Sequence, residues 1–328
     1  MKNWSRWLCV PALLALGTLS MAESKYPSRV VSLMVPYAAG AASDITARAL
    51  SGPVGKELDG QLIVENLGGA SGTIAAGKVL TAPADGYYLF QGSPSELILP
   101  TIVNKSTRYK PEDFQWVAPV ATSPIIVVVS SALPVQSLDE LVELARSRKS
   151  TPLSYGTTGA GTLYNLLGEL FIKRTGAEIT HVPYKGGAPL IQDLIGGQID
   201  FAFMPYQASY AEYAKQGRLR VVGALGSAKN LPPQFSGVQS SADSKALKDF
   251  NFSIWTGYAV KKGTPRPIVE RLNVAISHAL KDPQARALLE QQAKTIFEPM
   301  SVEAGESFYA KEVARYRELV KTTGYELP

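Results

Sequence analysis

Two loops of small residues are the parts of this sequence best suited to binding chemistry. The first is Tyr37-Ala38-Ala39-Gly40-Ala41-Ala42, which follows the apolar run Val30–Val35 and precedes a helical pattern with Ser43 and Asp44 as N-cap residue types. A strand that enters a helix through a loop of small residues exposes unpaired N–H groups at the positive end of the helix dipole. The pattern is consistent with an anion site, and a tight turn without a ligand is the equally open alternative.

The second loop, Gly156–Thr162, combines glycines with the hydroxyls of Thr157, Thr158 and Thr162. Its spacing matches neither the dinucleotide fingerprint nor a P-loop, which needs a lysine after its last glycine. Hydroxyls and amides in this arrangement suit a carboxylate, whose two oxygens accept several hydrogen bonds. A further loop, Pro183–Pro189, contains Lys185, which either pairs with an anion or is simply solvated.

The residues that could catalyse a reaction have ordinary structural interpretations. His181 and His278 lie on a predicted strand and a predicted helix, where satisfied structural histidines are the usual case. Asp44 could be a general base, but its position four residues before Arg48 favours a capping role and an i,i+4 ion pair. The serine-nucleophile and zinc-protease motifs are missing from the sequence. An enzyme is therefore the weaker hypothesis.

The composition describes an exported globular protein. The chain has 328 residues, of which 45% are hydrophobic and 19% charged. Lys2 and Arg6 precede the apolar stretch Leu8–Leu19, and small residues end at Ala22, after which we expect cleavage of a signal peptide, 1–22. The single cysteine, Cys9, lies in that segment, which excludes disulfides and thiolate chemistry from the mature chain. We therefore expect a periplasmic location.

The charge pattern argues against nucleic acid as a partner. The net charge of +5 falls to +3 without Lys2 and Arg6, and basic residues are scattered among acidic ones. A weakly basic surface is compatible with an anionic ligand.

Repeated strand–loop–helix units predict the α/β class with parallel sheets. The pattern forms two α/β blocks, and the chain crosses between them near Thr122 and returns near Trp255. The predicted lobes are 23–122 plus 256–328 and 123–255. Two crossings place a cleft between the lobes, with the small-residue loops at the carboxyl ends of strands that face it. Tyr37, Tyr184, Tyr206 and Trp255 are expected in the core or in the cleft wall.

Several segments, taken together, resemble the substrate-binding receptors of tripartite tricarboxylate transporters, the Bug family. They are Val35–Arg48 (VPYAAGAASDITAR), Val64–Gly72 (VENLGGASG), Pro83–Tyr88 (PADGYY), His181–Pro189 (HVPYKGGAP) and Gly196–Phe203 (GGQIDFAF). The resemblance implies a two-lobed periplasmic binding protein of the type II-like fold that closes on a small carboxylated ligand. It places ligand contacts in the loops Tyr37–Asp44, Thr157–Thr162 and Tyr184–Gly187.

The sequence departs from the family pattern at a few positions. Asn165 stands where a histidine is common, and Met204 where many members have an acidic residue. Loss of that acid removes a partner for an amino group, which favours a dicarboxylate or aromatic carboxylate over an amino acid. Glu96, in the unusual segment Ser93-Pro94-Ser95-Glu96, argues the opposite way if it faces the cleft. The predicted ligand-binding residues are Tyr37, Ala38, Ala39, Gly40, Ala41, Ser43, Asp44, Ser93, Thr157, Thr158, Gly161, Thr162, Asn165, Tyr184, Lys185, Gly186, Met204 and Tyr206.

The expected function is that of a non-enzymatic, monomeric receptor without cofactor or metal. It would capture a small carboxylate and deliver it to membrane subunits of a tripartite tricarboxylate-type transporter. A sensor for the same ligand class, and an exported enzyme acting on a carboxylate, are the alternatives.

Overall fold

The computed structural model describes residues 25–226, 228–229 and 231–325. The predicted signal peptide and its cleavage site lie outside these residues. The strands are β1 (Val31–Val35), β2 (Leu62–Asn66), β3 (Tyr88–Gly92), β4 (Phe114–Ser130), β5 (Leu153–Thr157), β6 (Ile179–Pro183), β7 (Phe201–Pro205), β8 (Leu219–Leu225), β9 (Gln239–Ser240), β10 (Ser253–Lys261) and β11 (Thr295–Ile296).

Helices alternate with most of these strands, as the sequence pattern predicts. They are α1 (Ala42–Leu58), α2 (Thr73–Thr81), α3 (Pro94–Leu97), α4 (Leu99–Val103), α5 (Leu138–Ser147), α6 (Leu163–Thr175), α7 (Gly187–Ile195), α8 (Ala208–Lys215), α9 (Arg266–Ala279), α10 (Pro283–Gln291) and α11 (Val302–Thr323). Among the residues in the described ranges, no helix is long and apolar enough to cross a bilayer.

The strands form two sheets that share β4. In the first, β2, β1 and β3 are parallel, and β10 joins β3 to the first part of β4 with antiparallel pairing. In the second, the later part of β4 lies between β7 and β8, and β5 and β6 continue the sheet in parallel. Helices α1, α9 and α10 cover one face of the first sheet around a core that includes Val31, Leu50, Leu272 and Leu289.

The strand β4 runs without interruption through Pro124. Phe114 to Pro124 pair with β10, and Ile125 to Ser130 pair with β7 and β8. Proline has no N–H to donate, so it is tolerated where a strand changes its partner. Two lobes thus meet at β4 and β10, which confirms the predicted α/β two-lobed fold. The exact lobe boundaries at 122/123 and 255/256 stay predictions.

Two helix starts differ from the sequence pattern, and both lie beside the cleft. Helix α1 begins at Ala42 with Ala41 as its N-cap, so neither Ser43 nor Asp44 is the N-cap residue. Helix α7 begins at Gly187, inside the segment predicted to be loop. Its Pro189 lies in the first helical turn, where the missing N–H costs no internal hydrogen bond.

Candidate ligand-binding site

The first loop is shaped by Asp44, which is buried in the first turn of α1. Its Oδ2 accepts hydrogen bonds from Gly40 N (2.8 Å) and Arg48 Nε (3.0 Å), and its Oδ1 accepts one from Asn66 Nδ2 (3.0 Å). Burial raises the pKa of this carboxyl, but those hydrogen bonds outweigh it and the pKa is lowered. The predicted i,i+4 pair with Arg48 is confirmed. Asp44 is thus a positioning group for the loop, and its oxygens are already in use.

Helices α1 and α7 begin with residues that cannot cap them. The N-cap of α1 is Ala41, which has only a methyl side chain, and that of α7 is Gly186, which has none. By contrast, the N-cap of α6 is Thr162, whose hydroxyl accepts from Asn165 N. The first-turn amides of a helix have no acceptor inside the helix. Those of α1 and α7 are therefore available to an external acceptor, and the helix dipole favours an anion there.

A cavity between the two sheets receives both of these helix N-termini. We call it the inner cavity; it holds about 640 Å³ of space between atoms, including its opening to solvent. Ala41, Ala42 and Ser43 reach it from α1, and Gly187 reaches it from α7. Its other lining residues are Pro36, Tyr37, Gln91, Gly92, Ser93, Glu96, Ser123, Thr158, Tyr164, Met204, Pro205, Gln207, Ile254, Thr256 and Lys294.

Three buried polar atoms of the inner cavity lack a hydrogen-bond partner among the described residues. They are Ser43 Oγ, Gln91 Oε1 and Thr158 Oγ1. The Gln91 amide is held in place because its Nε2 donates to the carbonyl of Ser43 (2.7 Å). Thr158 Oγ1 lies near the Tyr37 hydroxyl, where it has a lowering effect on the pKa of Tyr37, but the two groups are not aligned for a hydrogen bond. Buried polar atoms usually have partners, so a cluster without them is typical of a ligand site.

Glu96 faces the inner cavity, yet its carboxylate is occupied from within the protein. Tyr37 donates its hydroxyl to Oε1, and Ser93 donates its N–H (2.8 Å) and its hydroxyl (2.7 Å) to Oε2. The Ser93 N–H bond to Glu96, together with the bond that Ser93 Oγ accepts from Ser95 N (3.1 Å), forms a capping box at the start of α3. Burial raises the pKa of Glu96, and these hydrogen bonds oppose the rise. The pKa of Tyr37 is raised well above its usual value by burial and by the neighbouring Glu96 charge.

Lys294 places a buried ammonium group at the cavity. Its Nζ donates to Ser123 Oγ (2.8 Å), beside the point where β4 changes its partner strands. Only 6% of the residue is exposed, and burial lowers its pKa from 10.5 to about 8. Sequence reasoning missed Lys294, since nothing in its local segment distinguishes it from a surface lysine. Its burial arises because the adjacent strand β11 pairs with β4.

A second cavity lies beside the first, and Tyr37 and Thr158 line both. This outer cavity is further lined by Gly69, Ala70, Ser71, Gly72, Asn104, Gly159, Ala160, Pro183, Tyr184 and Lys185. Direct hydrogen bonds join the two lobes, and among them Ser71 Oγ donates to the Ala160 carbonyl (2.7 Å) and Leu163 N donates to Ser95 Oγ (3.1 Å). The lobes are therefore in contact in this conformation.

The sequence of this chain matches the tripartite tricarboxylate transporter family receptors over residues 46–325. The chain belongs to this family. Its fold is similar to three solved structures of comparable length. The periplasmic binding protein BugD has a TM-score of 0.83 and 28% identity, with 92% of this chain and 99% of that chain covered.

The other two structures contain ligands. MatC of Rhodopseudomonas palustris with bound malate has a TM-score of 0.82 and 26% identity, covering 90% of this chain and 100% of that one. Rpa4515 of R. palustris with adipate has a TM-score of 0.83 and 29% identity, covering 92% and 99%. The family is one of solute-binding receptors, and the predicted resemblance is confirmed.

The structure of this family receptor divides the predicted site residues into two groups. Those that line a cavity are Tyr37, Ala41, Ser43, Ser93, Thr158 and Met204 in the inner cavity, with Tyr184 and Lys185 in the outer one. Those that line neither of these two cavities are Ala38, Ala39, Gly40, Asp44, Thr157, Gly161, Thr162, Asn165, Gly186 and Tyr206.

Several residues of the second group support the loops rather than line a cavity. Asn165 Oδ1 accepts from Gly161 N (3.0 Å) and from the Tyr325 hydroxyl, which holds the second loop against the C-terminal segment. Tyr206 is buried and packs against Phe235. Gln91 was missed by sequence reasoning, although a polar residue at the carboxyl end of a buried strand is a usable signal.

Both histidine side chains lie within hydrogen-bond distance of a neighbouring side chain. His181 Nε2 lies 2.7 Å from Thr157 Oγ1, and His278 Nδ1 lies 2.8 Å from Glu57 Oε2. They lie on β6 and α9, as the structural interpretation expects. Within the described ranges, no group of three or more His, Cys, Asp and Glu residues could hold a metal ion.

Proposed function

We propose that this receptor captures a small carboxylate in the inner cavity. The observation that carries the proposal is that α1 and α7, which come from opposite sides of the cleft, both begin with residues that cannot cap them and both line this cavity. A carboxylate can accept hydrogen bonds from both sets of amides at once. Such charge-assisted hydrogen bonds each contribute about 1.5–3 kcal/mol.

The cavity favours a carboxylate without an amino group. An ammonium group on the ligand needs an acceptor, and the acid of the inner cavity, Glu96, already accepts three hydrogen bonds from Tyr37 and Ser93. Met204 presents an apolar surface in the same wall. The favoured ligand is therefore a dicarboxylate or an aromatic carboxylate. The two ligands named in the related structures, malate and adipate, are dicarboxylates.

The receptor works by closure of its lobes about β4 and β10. A ligand that bridges α1 and α7 stabilises the closed form by its differential affinity for that form. The protein acts without turnover in the periplasm and delivers its ligand to the membrane subunits of a tripartite tricarboxylate-type transporter, the partner that the family name indicates.

Thermal unfolding of the mature chain, 23–328, against a carboxylate panel tests this function. The panel contains aliphatic dicarboxylates, tricarboxylates, aromatic acids and acidic amino acids. A ligand present at a hundredfold excess over its Kd stabilises the folded state by about 2.7 kcal/mol. We expect a higher Tm with dicarboxylates or aromatic acids and no consumption of the compound. If no carboxylate raises the Tm, the proposal is wrong; if the compound is consumed, the protein is an enzyme.

A further inference from the structure

Lys294 is a buried cation that its protein neighbours leave only partly bonded. Its ammonium group carries three N–H donors, and the hydrogen bond that the structure gives it goes to the neutral hydroxyl of Ser123 (2.8 Å). Burial lowers its pKa to about 8, and no charged neighbour in the described part of the chain opposes this. A buried charge without a counter-charge is costly, because the interior screens and solvates it poorly. Such a group is usually kept for a ligand or for catalysis.

The charges of the inner cavity are arranged asymmetrically. Among its described lining residues, the charged groups are Lys294 and Glu96. Glu96 is bonded to Tyr37 and Ser93, so its charge is already stabilised from inside the protein. Among the described residues, Lys294 has no carboxylate partner and bonds to the Ser123 hydroxyl. The cavity therefore has a free positive group at Lys294, in addition to the positive helix N-termini of α1 and α7.

Lys294 and the helix N-termini reach the cavity from different elements of the fold. Lys294 precedes β11 and bonds to Ser123 on the shared strand β4, whereas Ala42 and Gly187 belong to the first turns of α1 and α7. A monocarboxylate held by the helix N-termini leaves the ammonium group unpaired. A ligand with a second carboxylate satisfies both regions.

We propose that Lys294 is the specificity-determining residue that pairs with the second carboxylate of a dianionic ligand. This inference rests on the proposed function, because it assumes that the helix N-termini hold the first carboxylate. It assigns the ligand to the dicarboxylates rather than to the aromatic monocarboxylates. Lys294 thereby supplies the cationic side chain of the inner cavity, whereas Lys185 of the loop Tyr184–Gly187 lines the outer one.

Matched acids test the proposal by calorimetric titration of the mature chain. Succinate, glutarate and adipate are compared with butyrate, pentanoate and hexanoate, in which a methyl group replaces the second carboxylate. We expect the best dicarboxylate to bind about 100-fold more tightly than its matched monocarboxylate. Lys294→Met keeps the length of the side chain and removes its charge, and it is expected to abolish this preference. Lys281→Met, which removes a lysine from an exposed position between α9 and α10, is expected to retain it.

Proton uptake gives a second readout that a packing role for Lys294 would not produce. Pairing with a carboxylate raises the pKa of Lys294 from about 8, so binding near pH 8.5 takes up a proton. Titrations in buffers of different ionisation enthalpy measure this uptake. The tyrosines of the cavity, Tyr37 and Tyr164, have pKa values well above 10.0 and stay neutral. Arg286 and Glu290 of the adjacent α10 pair with each other at the surface.

The possible outcomes separate the two proposals. Uptake in the wild type that is lost in Lys294→Met supports the inference, whereas uptake that persists in the variant belongs to Glu96 and overturns it. Equal affinity of the wild type for matched mono- and dicarboxylates also overturns it, and needs no variant. If the matched mono- and dicarboxylates both bind with equal affinity, the proposed carboxylate capture is supported and the proposed role of Lys294 is wrong. If no acid binds, carboxylate capture itself is wrong.

Discussion

The inner and outer cavities share Tyr37 and Thr158 but differ in how they hold charge. In the inner cavity, Lys294 and Glu96 are buried, and the side-chain oxygens of Ser43, Gln91 and Thr158 lack hydrogen-bond partners within the described ranges. In the outer cavity, the wall is made of uncharged and mostly small residues apart from Lys185, which is exposed. Electrostatic interactions are strong in a buried site, whereas water and salt screen those of an exposed side chain. Under the proposed function, we therefore expect the ligand's affinity to come from the inner cavity, and the outer cavity to provide access and contacts between the lobes.

Filling the inner cavity is the largest change that this comparison suggests. Gly187 lies at its wall, and a Cβ added there lies 3.4 Å from Met204 Cε, the flexible end of that side chain. Gly187→Phe is expected to weaken dicarboxylate binding more than about 100-fold, since the ring occupies the ligand's space. Ala188→Phe, on the exposed neighbour in α7, is the control and should bind normally. Unchanged affinity of the Gly187 variant would place the ligand elsewhere.

The buried charge of the inner cavity also predicts a pH-dependent cost in stability. The pKa of Lys294 falls from 10.5 to about 8 on folding, so between these pH values the unfolded chain holds more protons and stability rises with pH. Without ligand, Lys294→Met should be more stable than the wild type at pH 7, by up to about 3 kcal/mol. This difference in stability between the variant and the wild type should decrease from pH 8 upward and vanish near pH 10.5. Urea unfolding at several pH values measures it, and a pH-independent difference would contradict the account.

Thr158 lines both cavities, and substitutions there can distinguish a hydrogen bond from its hydroxyl from a packing contact of its methyl group. Thr158→Val keeps the shape and removes the unpartnered Oγ1, so we expect a loss of about 5- to 10-fold in dicarboxylate affinity. Thr158→Ser keeps the hydroxyl and is expected to bind within about threefold of the wild type. Titration calorimetry on both variants gives the comparison. Normal binding by Thr158→Val with a loss in Thr158→Ser would mean that the methyl group, and not the hydroxyl, contacts the ligand.

The smallest effect is expected at the exposed lysine of the outer cavity. Lys185→Met should change dicarboxylate affinity by less than about threefold, because an exposed cation contributes little. The measurement should be made at low and at physiological salt, since a screened interaction grows at low salt. A loss larger than that of Lys294→Met would reverse the assignment of the two cavities.

Most of the helices and strands could be predicted from the sequence, because the spacing of apolar residues determines where they form. The apolar run of β1 and the periodicity of α11 follow from strand and helix spacing. The start of α1 could not be read in the same way. Asp44 looks like a cap residue, but Gly40 and Asn66 from other segments engage its carboxylate, so Ala41 takes the N-cap position.

The candidate site could be predicted only as far as its loops. The small-residue loop before α1, which begins with Tyr37, can be recognised in the sequence, and Tyr37, Ala41 and Ala42 from it line the inner cavity. Lys294 is different, because its burial depends on β11 pairing with β4, a contact between distant parts of the chain. The role of Glu96 likewise depends on Tyr37, 59 residues away. Whether a charged side chain is buried, and which groups hydrogen-bond to it, depends on tertiary contacts that residue spacing in the sequence does not reveal.

The crystal structure of the mature protein with adipate tests the central claim most directly. We predict one carboxylate within about 3.2 Å of first-turn amides of both α1 and α7, and the other within the same distance of Lys294 Nζ. Adipate bound in the outer cavity, against Lys185 and Tyr184 with the inner cavity empty of it, would contradict the account.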